Sequence, residues 1–362
     1  MTRETGVDIC RPASRWEGHR LLKTAPHHFS TRIEEILNPL LIRKSEHICI
    51  IDPPAHSNVG DSAILLGELD FIARNFPASR ISYYDVDNYS PGADRYIEEA
   101  TILLIHGGGN FGDIWPHHHE LRIRILEKFS HKSIIQLPQS IYFSDSGKSK
   151  STADVIGKQQ DFTLLVRDQG SFEYANTHFD CNVLLSPDMA FAMNPITRKN
   201  PTVEYLCLLR TDKEVVANHQ LIVDALNGIG TSVDVHDWLD GPRNSITRLD
   251  QLLRKLTRKI PRGTAPWRAA MMGVRKQYAK QRLAYGIDLL SKGATVVTDR
   301  LHGHILCCLL DIPHFVFDSY GGKISAFHAT WTKDNTETQL ITSVDELSLR
   351  LEQPVFRTKQ NS

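Results

Sequence analysis

From residue 44 onward the chain alternates short apolar runs with amphipathic stretches, the pattern of successive β-α-β units and a mainly parallel sheet. In the first half this predicts strands His47–Ile51, Ile81–Asp85, Thr101–Ile105, Ser133–Leu137, Phe162–Val166 and Asn182–Leu185. Helices Ser62–Arg74, His117–Phe129 and Gln169–Thr177 fall between them. Polar, proline-containing Asn194–Pro201 reads as a linker, and the pattern then restarts. Strands Glu204–Leu209, Ser232–His236, Ala294–Thr298 and His314–Asp318 follow, with helices at Glu214–Leu226, His302–Leu310 and Ile324–Trp331. Basic helices flank the breaker Pro261-Arg262-Gly263. The predicted fold class is α/β: two doubly wound Rossmann-like domains, 44–195 and 202–345, facing a central cleft. Residues 1–43 form an extension that fits no clear unit, and 346–362 form a tail.

A chain of 362 residues, 41% apolar and 23% charged, has an ordinary globular composition and length enough for two cores. No stretch approaches the roughly 20 apolar residues of a membrane span. Met1–Lys23 lacks the apolar centre of a signal peptide, so the expected location is cytoplasmic. The formal net charge of zero conceals an asymmetry, because segment 243–282 holds twelve Lys and Arg against Asp250 alone. That block implies an anionic partner. Within it Ile246, Leu249, Leu252, Leu253, Leu256 and Ile260 recur at helical spacing, followed by Trp267 and Met271-Met272. Two readings fit: a core-facing stripe with a solvated basic face, or a surface resting peripherally on an anionic membrane. No nucleic-acid-binding pattern accompanies the basic block, so nucleic acid is not an expected partner. Cys49, Cys207, Cys307 and Cys308 lie in apolar runs without zinc spacing and read as buried free thiols. His117-His118-His119 cannot share an ion, because consecutive helical side chains diverge, and they read as solvated. No metal and no cofactor are expected.

Ligands of open α/β sheets sit outside the carboxyl ends of the strands, and four loops at such ends are rich in glycine, histidine, arginine and acids. Pro54–Asp61 leads into a helix start suited to an anion, with Asp61 either facing the ligand or merely capping the helix. His106-Gly107-Gly108-Gly109-Asn110 follows a strand with three glycines in a row. It matches neither a dinucleotide fingerprint nor a P-loop, and its backbone can approach a ligand closely. Arg167-Asp168 ends a strand, where Arg167 either forks onto a carboxylate or phosphate or pairs with Asp168 at the surface. In Thr298-Asp299-Arg300-Leu301-His302-Gly303, Asp299 can cap the helix. Arg300 and His302 project from its first turn, where cations are unfavourable unless an anion is bound.

Together these loops resemble the polysaccharide pyruvyl transferase family. The matching pieces are His56–Asp61, His106–Asn110, Leu137–Ser140, Arg167-Asp168, Ser186–Asp188, Asp299–Gly303 and Asp318–Lys323, in order over about residues 47–331. The resemblance implies a bilobal, GT-B-like enzyme that takes phosphoenolpyruvate and builds a pyruvate ketal on sugar hydroxyls. The acceptor would be a polysaccharide or lipid-linked oligosaccharide precursor. It further implies donor binding by Arg167, Arg300, Leu301 and His302. On this basis Arg167 and Arg300 hold the donor's anionic groups, and His302 binds phosphate or moves a proton. Asp61 is the base, with His106 and Asn58 beside it. Gly60, Gly107, Gly108, Gly109, Asn110 and Lys323 complete the expected binding set. Two departures bear on the acceptor: Asp318–Lys323 has two glycines before its lysine and no asparagine, and the basic segment has no counterpart. A glycosyltransferase using a nucleotide sugar would share the architecture. An anion- or glycan-binding protein without turnover is the other alternative.

Overall fold

The computed structural model describes residues 26–352 except 55, 87–88, 90, 213, 216 and 242–264, with backbone alone at 26–27, 91, 240 and 265–271. Its strands form two sheets in which every pairing is parallel. The first contains β1 (His47–Ile51), β2 (Arg80–Tyr84), β3 (Ile102–Ile105), β4 (Gly108–Gly112), β5 (Ser133–Tyr142), β6 (Asp161–Val166) and β7 (Asn182–Leu185). Their order is β2-β1-β3-β5-β6-β7, with β4 paired to β5. The second contains β8 (Val203–Leu208), β9 (Val233–His236), β10 (Gly293–Thr298), β11 (His314–Phe317) and β12 (Thr338–Ile341), in the order β12-β11-β10-β8-β9. β1, β3 and β11 are buried along their whole length, in keeping with sequences that are apolar apart from His47 and His314 at the starts of β1 and β11.

The helices are α1 (Pro26–Leu41), α2 (Val59–Asn75), α3 (Asp94–Glu98), α4 (Pro116–Lys128), α5 (Ser146–Ile156) and α6 (Gln169–His178). They continue with α7 (His219–Gly228), α8 (Ala265–Ser291), α9 (Leu301–Leu310), α10 (Lys323–Phe327) and α11 (Val344–Leu351). In each sheet the strand order reverses beside the first strand, between β1 and β3 and between β8 and β10. Crevices form at such switch points, and loops from both line one cleft.

Several elements differ from expectation. The N-terminal extension contains α1, whose Ile33, Leu37 and Leu41 are buried in the core. The glycine-rich run after β3 is itself a strand, β4. β5 runs on through Pro138 to Tyr142, its register with β6 shifting between Gln136 and Gln139, where a proline needs no ladder bond. α5 was not foreseen, α7 begins at His219 instead of Glu214, and α10 is one short turn continued by a wider turn at His328–Thr332. β12 and α11 follow, so the expected boundary at 345 falls inside a helix instead of before a tail.

Alternate residues of the strands feed different clusters. Cys49, Ile51 and Leu103 face one outer layer of the first sheet, and Cys207, Val297 and Phe315 face an outer layer of the second. The inward residues join a single cluster: Ile48 and Ile50 of β1, α2, Leu206 and Leu208 of β8, Ala279 and Leu283 of α8, and Ile305 of α9. α2 packs along α8, where a Cβ added at Gly286 would lie 2.4 Å from Val59 Cγ1. In the basic segment, Arg275 and Arg282 are buried. Arg275 Nη2 is 3.1 Å from Asp85 Oδ2, and Arg282 donates to the Trp238 carbonyl. A uniformly solvated basic face therefore does not extend through them. The stripe Ile246–Ile260, the Pro261-Arg262-Gly263 break and the side chains of Trp267 and Met271 lie outside the described residues, as does most of the extension before residue 26. Among the described residues, no helix is long and apolar enough to cross a membrane.

Candidate active site

Strand-end loops of both sheets surround a cleft of about 400 Å³. Ten of the thirteen expected site residues line it: Asn58, Asp61, His106, Gly109, Asn110, Arg167, Arg300, Leu301, His302 and Lys323. Gly60, Gly107 and Gly108 lie behind the wall. Gly60 makes room for His302, since a Cβ there would fall 2.4 Å from the imidazole Nδ1.

The start of α2 is capped by Asn58, whose Oδ1 accepts the Gly60 N–H at 3.0 Å. Asp61 is thereby relieved of the capping role and turns its carboxylate into the cleft, 3.6 Å from His56 Nε2. Burial alone would raise its pKa, but His56, His302, His106 and His118 outweigh that and hold it below the ordinary carboxylate value. His106, at the end of β3, has Nδ1 2.9 Å from Glu68 Oε1 of α2.

Arg167 is not a surface partner of Asp168. Asp168 caps α6, its Oδ1 accepting the Ser171 N–H at 2.8 Å. Arg167 is buried, with Nη1 on Asp188 Oδ2 at 2.6 Å and Nε on Ser140 Oγ at 3.0 Å. Its remaining nitrogen, Nη2, faces Gly109: a Cβ built there would lie 3.0 Å from it and 3.6 Å from Lys323 Nζ. Only glycine leaves that space for a ligand between the two cations. Asp188 also lies 3.5 Å from His302 Nε2, so one carboxylate joins the arginine of the first sheet to the histidine of α9. Burial pushes Asp188 up, but the bond and charge from His302 and the charge of Arg167 hold it well below the usual range.

Asp299 does not cap α9. Its oxygens accept the Arg210 N–H at 2.9 Å and meet His219 Nε2 at 2.8 Å. Among the described residues the first turn of α9 consequently has no side-chain cap, and its Leu301 and His302 line the cleft. Arg300, the residue before it, places Nη2 on Asp237 Oδ2 at 2.6 Å over the Trp238 ring, while its buried Nε has no hydrogen-bond partner among the described residues. Lys323 Nζ and Arg210 Nη2 both lie 3.2 Å from Glu214 Oε2. Burial lowers the Lys323 pKa, and the charges of Arg167 and Arg210 add to this against Glu214. Gly321 and Gly322, at φ 80° and 68°, turn the chain so that this lysine points inward.

Sequence reasoning missed Arg210, Asp212, Glu214, Trp238, Trp115, Asp52 and His118, all of which line the cleft. The solvated reading of the histidine triplet holds for His117 alone. His118 Nδ1 is 2.7 Å from Asp52 Oδ2, and His119 is buried against Thr152. Burial opposes protonation of His118, but the bond and charge of Asp52 outweigh it and raise the pKa. Away from the cleft, His304, Cys308 and His314 bring three potential metal-ligating atoms within 4.8 Å, a juxtaposition of α9 and β11 that spacing did not announce. His304 Nδ1 and His314 Nε2 are 2.7 Å apart there, and His314 Nδ1 donates to the Ile312 carbonyl.

The sequence profile of a family described as polysaccharide pyruvyl transferase matches residues 58–320. The putative pyruvyl transferase EpsO of Bacillus subtilis (strain 168) is 31% identical over 319 residues, which is 87% of this chain and 95% of that protein. Pyruvyl transferase 1 of Schizosaccharomyces pombe is 32% identical over 330 residues, covering 84% and 75%. Among solved structures, a functionally uncharacterized protein of Klebsiella pneumoniae aligns with a TM-score of 0.57 at 22% identity, over 87% of this chain and 99% of that one. That likeness bears on the fold alone.

Proposed function

The chain belongs to the polysaccharide pyruvyl transferase family and is a pyruvyl transferase, and from that premise we propose that its cleft takes phosphoenolpyruvate as donor and forms a ketal on two hydroxyls of one sugar. The observation that carries this is the convergence of Arg167, Arg300, Lys323 and the uncapped start of α9 on one small space that also holds the carboxylate of Asp61. Phosphoenolpyruvate has two anionic groups on three carbons, and this space offers cations on two sides. Arg167 and Lys323 flank Gly109, while Arg300 and the α9 N–H groups stand across the cleft.

The chemistry needs a proton at the donor's methylene carbon, which makes C2 electrophilic. A sugar hydroxyl adds to C2, the C2–O bond to phosphate breaks, and a second hydroxyl closes the ring. One hydroxyl proton is thereby balanced by the new methyl C–H and the other leaves with phosphate. On this reading His302, 3.5 Å from Asp188, moves the proton, and Asp61 accepts one from the sugar. Arg300 and the α9 start stabilise the departing phosphate. On the same reading, the two sheets belong to two Rossmann-like domains in a GT-B-like arrangement. Thermal unfolding with phosphoenolpyruvate tests the donor: at a hundredfold excess over Kd a native-state ligand adds about 2.7 kcal/mol. The shift is expected in the wild type and absent in Arg300→Ala. A shift with nucleotide sugars alone would reassign the donor.

A further inference from the structure

A second cavity, of about 480 Å³, opens beside the cleft, and the two share Trp115 and His118 as lining residues. Its chemistry differs from that of the cleft. Four cations and four carboxylates line the cleft, whereas the second cavity combines the apolar surfaces of Val86, Trp115, Pro116, Leu121 and Tyr89 with Glu120, Arg124 and the imidazoles of His117 and His118. Trp115 is 37% exposed and Val86 36%, so a bulky apolar surface faces solvent next to a site built for anions. The indole is set by the chain, since Trp115 is the residue just before α4 and Pro116 fixes the first helical position after it. Tyr89 is anchored through its hydroxyl, which donates to Asp94 Oδ1 at 2.8 Å, and the Arg124 guanidinium lies 5.7 Å from its ring centroid. At the junction, His118 is held by Asp52 at 2.7 Å.

A flat aromatic surface rimmed by a few polar groups suits a ligand with an apolar face and a hydroxyl-bearing edge. A pyranose ring has that form: its axial C–H bonds lie against the indole, and its equatorial hydroxyls reach the charged rim. A phosphate or a second donor molecule would find one permanent cation here, Arg124, in a lining that also holds the acid Glu120, against the four cations of the cleft. We propose that this cavity is the subsite for the acceptor's neighbouring sugar ring, stacked on Trp115 while the ring to be modified occupies the cleft. The proposal rests on the pyruvyl-transfer reading of the cleft and adds to it that the preferred acceptor is at least a disaccharide.

The test measures phosphate release from phosphoenolpyruvate with methyl glycosides of glucose, galactose and mannose and with disaccharides of the same sugars. Binding of each sugar in the presence of donor is followed in parallel. The wild type is expected to favour a disaccharide over its methyl glycoside by about tenfold in kcat/KM, mainly through KM. Trp115→Ala should remove that preference and Trp115→Phe restore most of it, with the melting shift from phosphoenolpyruvate retained in both. Because Trp115 also touches the cleft, Val86→Lys serves as a second variant that obstructs the cavity away from it and should lower the same ratio. An unchanged ratio in Trp115→Ala and Val86→Lys overturns the subsite, as does a wild type that binds no disaccharide better than its methyl glycoside. Absence of any shift or turnover with phosphoenolpyruvate overturns the donor reading instead, and the subsite with it.

Discussion

His106, in the cleft wall, and Glu68 behind it form a buried pair, exposed by 3% and 1%, and Glu68 Oε1 also accepts the Gly107 N–H at 3.1 Å. Burial by itself lowers the His106 pKa. The charge and hydrogen bond of Glu68, with help from Asp61 and Asp52, outweigh it and raise the value above 6.5. A group raised on folding gives stability that is complete below its unfolded pKa and is lost as pH rises through the folded one. The protein should therefore lose stability above about pH 6.5 through this pair, and Glu68→Gln should flatten that alkaline decline. The variant keeps an oxygen for Gly107 but removes the charge, so a cost of about 1–3 kcal/mol at pH 6 is expected. Melting temperatures from pH 6 to 9 check both points, and parallel pH profiles for the two proteins would remove His106 from the account. Of this pair only His106 was legible, because a strand-end His-Gly-Gly-Gly is conspicuous. Glu68 looks like any acid on an amphipathic helix until α2 is laid against β3. Asp188 was likewise visible only as part of a motif, since its link between Arg167 and His302 is purely tertiary.

Two helix starts determine how the cleft is furnished, and they are built differently. α2 is capped by the Asn58 side chain just before it, whereas α9 has no side-chain cap among the described residues, and on the proposed reading its N–H groups serve the ligand. Asn58→Ala should cost about 1 kcal/mol, the usual value of such a cap. Asp61→Ala should leave α2 intact and abolish turnover. Urea unfolding and phosphate release measured on both variants separate the roles, and equal destabilisation by the two would return Asp61 to the cap. Sequence left open whether Asp61 caps the helix or faces a ligand, because an acid two positions before the apolar run suits either role, and it did not single out Asn58 as the cap. The strands β1, β3, β6, β8, β10 and β11 were legible from the short apolar runs in their buried portions. β4 and the second half of β5 were not, because glycines and Pro138 disfavour strands. Pairing of β4 with β5, with Gln139 bonded to both the backbone N–H and the side chain of Asn110, overrides that preference.

At the scale of the whole molecule, the chain order suggests two halves joined at a linker, yet the inner faces of both sheets feed one apolar cluster. Cooperativity follows clusters more than strand order, so heat should unfold the protein in a single transition. The seam between α2 and α8 tests this. Gly286→Ala improves the intrinsic helix propensity of α8 by about 0.8–1.0 kcal/mol. Against that, its new methyl would stand 2.4 Å from Val59 Cγ1, and forced overpacking costs about 1–3 kcal/mol. The steric term should win, lowering the single transition without splitting it. Val59→Ala removes the clashing methyls, so the double variant should recover part of what Gly286→Ala loses. That coupling distinguishes a packed seam from a loose one. Two resolved calorimetric transitions, with only one moved by Gly286→Ala, would mean that the halves unfold separately. The cleft would then lie between bodies free to move, whereas a single coupled transition means that its cations are held in register by the same core that folds the chain.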